Sequence, residues 1–124
     1  MAGDLSPDDL RASLDSKKLA PFYLFYGPDE FRLERLLERI RERYIPEAAR
    51  DFNLEICYGD ETDPSDIIHH ARTLPFMAKN RLIVVRRTEA FTPEQLNRFL
   101  PYLEKPSEST CIIFVASKTD FNKK

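Results

Sequence analysis

Residues 22–44 read FYLFYGPDEFRLERLLERIRERY. The first five are continuously apolar and stop at Gly27-Pro28, which suits a short strand buried on both faces. From Asp29 the period changes: Leu33, Leu36, Leu37, Ile40 and Tyr44 fall on one face of a helix, and Arg and Glu fill the remainder. Arg35/Glu38, Glu38/Arg41 and Arg39/Glu42 have the i,i+3 spacing of a solvated face. Strand, glycine turn and amphipathic helix make one half-unit of an α/β sheet.

The rest of the chain repeats this alternation. Upstream, Leu5-Ser6-Pro7-Asp8-Asp9-Leu10 reads as a helix start, with Ser6 as cap and proline in the first turn, running to about Lys18. Downstream, Pro46 ends the long helix. Leu54, Ile56 and Tyr58 then alternate with Glu55 and Cys57, as in a half-buried strand at a sheet edge. Asp63-Pro64 opens a helix to about Arg72, and residues 73–80 form a loop. Leu82–Val85 is a β-branched buried strand. Thr92-Pro93-Glu94-Gln95 is a capping box, with Phe91 and Leu96 as its apolar staple. Pro101 predicts a kink or early stop, and Cys111–Ala116 is a fourth strand. The order α-β-α-β-α-β-α-β calls for a three-layer α/β domain with a mostly parallel sheet.

Composition bounds what such a domain does. With 124 residues, 42% apolar and 32% charged, the chain suffices for one soluble core. A net charge of -2 supplies no basic field for nucleic acid, and Arg86-Arg87 and Lys123-Lys124 are short clusters. Cys57 and Cys111 sit inside strand-like apolar runs and read as buried free thiols of a reducing compartment. Residues 1–5 lack the basic and apolar regions of a signal peptide, and no apolar run is long enough to span a bilayer. A cytoplasmic protein without membrane contact is expected.

The turn after the first strand is where a phosphate loop would stand. That motif needs two glycines for backbone wrapping, a lysine for charge and a hydroxyl for magnesium. Counting from Gly27, the second glycine position holds Arg32, the lysine position Leu33 and the hydroxyl position Glu34. The third strand runs into Arg86-Arg87 where an acidic pair would be needed. Neither nucleotide hydrolysis nor a cofactor is expected. His69 and His70 are adjacent, so on a helix they point about 100° apart and cannot share a metal. Asp60, Glu61, Asp63 and Asp66 lack the glycine and closing glutamate of a calcium loop and read as a turn feeding a helix.

Thr73-Leu74-Pro75-Phe76-Met77 places three large apolar groups in a loop beside Lys79 and Arg81, both expected to be wet. Two readings stay open on the residues alone. Leu74 and Phe76 fold back onto the core, or they stay exposed as a partner-docking site.

Five segments in order carry a resemblance: residues 21–27, 52–55, 71–76, 81–86 and 110–116. Together they resemble the N-terminal AAA+-like domain of the delta subunit of the bacterial DNA polymerase III clamp loader. The resemblance implies a sheet of order 5-1-4-3-2, no working nucleotide chemistry, and a role in DNA replication. It implies an apolar pair that inserts into the β sliding clamp and helps to open the ring, without ATP hydrolysis by this subunit. The matching positions are Leu74, Pro75, Phe76 and Met77, although Pro75 separates a leucine and phenylalanine that are adjacent in the best-known pattern. Further partners implied are the gamma/tau and delta prime subunits, mainly through other domains, with DNA contacted only indirectly.

The whole of 1–124 then reads as one clamp-binding domain of a longer subunit, and Ser117–Lys124 as the start of an element cut short. With the fifth strand missing, the order would be 1-4-3-2 and the 22–26 strand an apolar edge prone to self-association. Two other classes remain: a degenerate P-loop nucleotide-binding protein, and an unrelated α/β interaction domain whose 73–77 loop is core.

Overall fold

The computed structural model describes residues 20–26, 30–45, 47–76 and 78–116, with the backbone alone for residues 26, 30 and 51. The expected helix at 5–18, the turn residues Gly27 to Asp29, Pro46, Met77 and the closing Ser117–Lys124 lie outside the described residues.

The strands are β1 (Phe22–Tyr26), β2 (Leu54–Tyr58), β3 (Arg81–Arg86) and β4 (Thr110–Ala116). The helices are α1 (Glu30–Tyr44), α2 (Arg50–Asn53), α3 (Pro64–Arg72), α4 (Pro93–Asn97) and α5 (Leu100–Glu104), with 3-10 turns at Glu47–Ala49 and Thr88–Ala90. All strand pairs are parallel and the order is β1-β4-β3-β2, the expected 1-4-3-2. Leu82 pairs with Cys111 on one side and Leu54 on the other, so β3 and β4 run side by side through the centre. All seven residues of β4 and the first five of β3 are buried, as continuous apolar strands require.

The pleat sends alternate residues to two cores. On one face Tyr23, Leu82, Val84, Cys111, Ile113 and Val115 pack against Leu37 and Ile40 of α1. Leu33, Leu36 and Tyr44 extend that helix face, as their spacing predicts. On the other face Ile83, Val85, Ile112 and Phe114 meet Ile67 and Ala71 of α3, together with Phe99 and Tyr102. Phe99 stands edge-on to both Phe91 and Phe114, with ring centroids 5.5 and 5.1 Å away. The domain therefore has three layers.

Local signals hold closely. Asp63 caps α3 by accepting from the Ser65 amide at 2.9 Å. Thr92 and Gln95 form the reciprocal capping box of α4. Glu38 and Arg41 pair at 3.5 Å on the wet face of α1. His70 turns Nδ1 towards Glu55 Oε1 at 3.4 Å on the surface.

Several details differ from expectation. The helical segment breaks at Arg98–Phe99, ahead of Pro101, and Pro101 sits in the first turn of α5. The first N–H groups of a helix have no partner within it, so proline costs little there. Residues 47–53 form two short helical turns that carry no readable period. In β2 the buried side chain is Cys57, whereas Ile56 and Tyr58 are exposed, because α1 reaches only Leu54 of this edge strand. β1 is an edge among the described strands; Tyr23 and Phe25 are buried on one face, while Phe22 and Leu24 on the other are only partly buried against the second core. Among the described residues no helix is long and apolar enough to cross a membrane.

Candidate functional site

In a parallel sheet the turns before the strands gather at one end and those after them at the other. The two sets of residues singled out by sequence divide accordingly. Glu34 and Arg86 lie at the end where β3 finishes, and the 73–76 loop lies where it begins. Five steps of roughly 3.3 Å put about 17 Å between the two ends of β3.

At the finishing end, Arg86 Nη1 and Nη2 donate to Glu34 Oε2 and Oε1 at 2.7 and 2.8 Å. This two-bond fork holds the Glu34 carboxyl below its ordinary range, through the hydrogen bonds first, with burial opposing. The Arg86 guanidinium is correspondingly pushed up. Where a hydroxyl and an acid would share a magnesium ion, a carboxylate and a guanidinium are bonded directly. Leu33 packs into the core, as its place on the apolar face predicts, and Arg32 is exposed. Gly27 lies outside the described residues. A cleft of about 140 Å³ beside the pair is lined by Leu37, Leu54, Ile56 and Val84. Its walls are the sheet and α1.

At the starting end, the loop after α3 is exposed. Leu74 is 79% and Phe76 53% accessible, so neither side chain folds back onto the core. Pro75 is half-buried, and Met77 lies outside the described residues. The backbone, by contrast, is tied down. Thr73 donates its hydroxyl to the His69 carbonyl at 2.9 Å and its amide to the His70 carbonyl at 3.2 Å, closing α3. Arg81 Nη2 donates to the Leu74 carbonyl at 3.3 Å. Asn53 holds Phe76 at both backbone groups: Nδ2 donates to its carbonyl at 2.6 Å, and its amide donates to Oδ1 at 2.7 Å.

Arg81 corrects an expectation. It is buried rather than wet, because its guanidinium lies beneath the loop whose carbonyl it binds. Among the described residues its Nε has no hydrogen-bond partner, a real cost for a buried donor. Lys79 is exposed as expected. Sequence reasoning also missed Phe52 and Asn53. Asn53 is fully buried at the end of α2, while Phe52 beside it is 56% exposed. The Phe52 ring meets the Phe76 ring edge-on, with centroids 5.0 Å apart. The available signal was the 52–55 segment of the resemblance, an aromatic next to an amide in a stretch otherwise too short to show periodicity.

An apolar surface on a fixed backbone is suited to binding another protein, since little ordering is left for the complex to impose. Comparison with known proteins bears on which one. The family model for DNA polymerase III, delta subunit, matches residues 23–124. The chain is 30% identical over 127 aligned residues to DNA polymerase III subunit delta of Bacillus subtilis, across 94% of this chain and 36% of that protein. It is similar in structure to the Bacillus subtilis DNA clamp loader delta protein, with a TM-score of 0.81 and 26% identity, covering 90% of this chain and 36% of the other. A gamma subunit-related DNA polymerase III protein of Thermotoga maritima shares the fold, with a TM-score of 0.57 and 23% identity over 87% of this chain and 39% of its own. The chain thus spans about a third of the length of the delta proteins it matches.

Proposed function

The chain belongs to the DNA polymerase III delta subunit family, and from that premise we propose that residues 1–124 are its clamp-binding domain. Leu74 and Phe76, with Pro75 and Met77, are the residues that engage the β sliding clamp. The observation that carries this reading is the exposure of Leu74 and Phe76 on a backbone held at three points. Scattered exposed apolar residues are ordinary. Two on one clasped loop, with the Phe52 ring against that of Phe76, are what a docking site needs.

The chemistry is that of differential affinity. A module that binds the strained, open form of the ring better than the closed form shifts the population towards open. Nothing in that step calls for nucleotide in this chain. The Glu34–Arg86 pair supports a non-enzymatic role, since its charges satisfy each other instead of phosphate and metal. Contacts with the gamma/tau and delta prime subunits, and the placing of the assembly on DNA in the cytoplasm, belong to the longer protein.

The test is titration of this chain into the β sliding clamp of the same organism, beside a Leu74→Ala/Phe76→Ala variant. Saturable binding by the parent is expected, and truncation of each anchor costs about 2 kcal/mol or more. Absence of binding by the folded parent, or equal binding by the folded double variant, would refute this site.

A further inference from the structure

Asn53 lies 23 residues before Phe76 in sequence, yet it bonds to the Phe76 backbone, and the ring of its neighbour Phe52 meets the Phe76 ring. The Asn53 amide is fully buried and spends three bonds locally. Its Nδ2 donates to the Ala49 carbonyl at 3.1 Å and the Phe76 carbonyl at 2.6 Å, and Oδ1 accepts from the Phe76 amide at 2.7 Å. An asparagine side chain offers two donors and one carbonyl oxygen, so both its donor and its acceptor ends are committed here. The bond to Ala49 anchors the amide to its own helical turn, and the two bonds to Phe76 carry that anchoring across to the loop.

The consequence for the surface is geometric. With Phe76 fixed at both backbone groups, its ring lies against Phe52, and each ring keeps about half of its surface in solvent. Edge-on aromatic pairs are favourable beyond simple burial, but a pair this exposed leaves apolar area uncovered. Leu74 stands two residues away and is the most exposed large apolar side chain described.

We propose that the docking surface is composite: Phe52 is a third apolar contact for the sliding clamp, and Asn53 is the positioning residue that sets Phe52 and Phe76 side by side before the partner arrives. This rests on the clamp-docking reading above and deepens it, because it moves part of the surface onto α2, outside the 73–77 loop. The role of Asn53 is one of population. When a binding-competent form is held only a fraction of the time, apparent affinity falls by that fraction.

The experiment compares the parent, Phe52→Ala, Phe52→Leu, Asn53→Ala and Leu74→Ala/Phe76→Ala in clamp titrations, each with a thermal melt. Hydrogen exchange at the Phe76 amide is followed in the parent and in Asn53→Ala. Phe52→Ala is expected to weaken binding by at least about tenfold with an unchanged melt, and Phe52→Leu to recover part of that loss. Asn53→Ala is expected to accelerate exchange at Phe76 and to slow association more than it speeds dissociation. Should Asn53→Ala fail to fold, the Phe52 variants decide alone. If the parent binds, Leu74→Ala/Phe76→Ala does not, and Phe52→Ala binds like the parent, the composite surface is wrong and the loop reading survives. If the folded parent does not bind the clamp at all, both readings fall together.

Discussion

Glu34 and Arg86 meet at a place where related folds gather phosphate and metal, and their bond is partly solvated. Half of the Glu34 side chain is exposed, so the pair behaves as a surface ion pair worth about 0.5 kcal/mol rather than as a buried one. Its sign with pH follows from the lowered carboxyl. The contribution is whole above the ordinary glutamate value of 4.5 and fades as pH falls through the lower value the folded state imposes. Glu34→Gln should therefore lose stability at neutral pH and show a shallower decline on acidification than the parent, read from urea midpoints between pH 7 and 3. Equal acid limbs for the two proteins would mean that the fork does not persist in solution. At this scale the sequence was legible in one direction only. It marked Arg32, Leu33, Glu34, Arg86 and Arg87 as departures from the residues a phosphate loop and its metal site need, but not Glu34 and Arg86 as partners. They lie 52 residues apart, and nothing in either local pattern names the other.

Elements were readable where they were long enough to show a period. The fifteen residues of α1 declare their buried face through five apolar positions, and β3 and β4 declare central places through the unbroken apolar runs 82–85 and 111–116. A one-turn helix has no such period. That is why α2, and with it Phe52 and Asn53, was missed and the candidate site was only half seen. The edge strand β2 shows a different limit: its alternation was visible, yet which side is buried depended on how far α1 extends across the sheet. The turn leaving β2 makes a sharper demand. Gly59 donates its amide to the Arg86 carbonyl at 2.7 Å, and Arg87 next to it takes the left-handed conformation, with φ 58°. A Cβ on residue 59 would collide with the Arg87 carbonyl oxygen, so backbone has to move. Gly59→Ala should cost about 1–3 kcal/mol in a denaturant titration, the range of other overpacked sites. A neutral result would show that this turn is loose.

For the whole molecule, the main fact is that β3 carries one arginine to each end of the sheet. Arg81 serves the loop and Arg86 serves the altered phosphate position, with four buried aliphatic residues between them. Sites this far apart without shared partners usually act independently, within about 0.5 kcal/mol. Glu34→Gln should accordingly leave clamp affinity unchanged to that tolerance, and its stability loss should add to that of any loop variant. A strong effect of Glu34→Gln on clamp binding would instead place the two ends in one cooperative device. The edge place of β2 was open to sequence reasoning through its alternating composition, whereas the full order of strands came from the family resemblance, and the continuously apolar β1 stands at an edge that composition did not show.

The chain's two sulfhydryls are both inside that sheet, Cys57 with its thiol pushed up to about 12 by burial and the nearby Glu55, and Cys111 fully buried and pushed higher still. Thiolate is the reactive form, so neither is available to a maleimide near neutral pH while the fold holds. A Lys79→Cys variant, at an exposed position, would therefore take a dye there alone, with both native cysteines kept. The protein comes ready for single-site fluorescence at the edge of the docking surface proposed above.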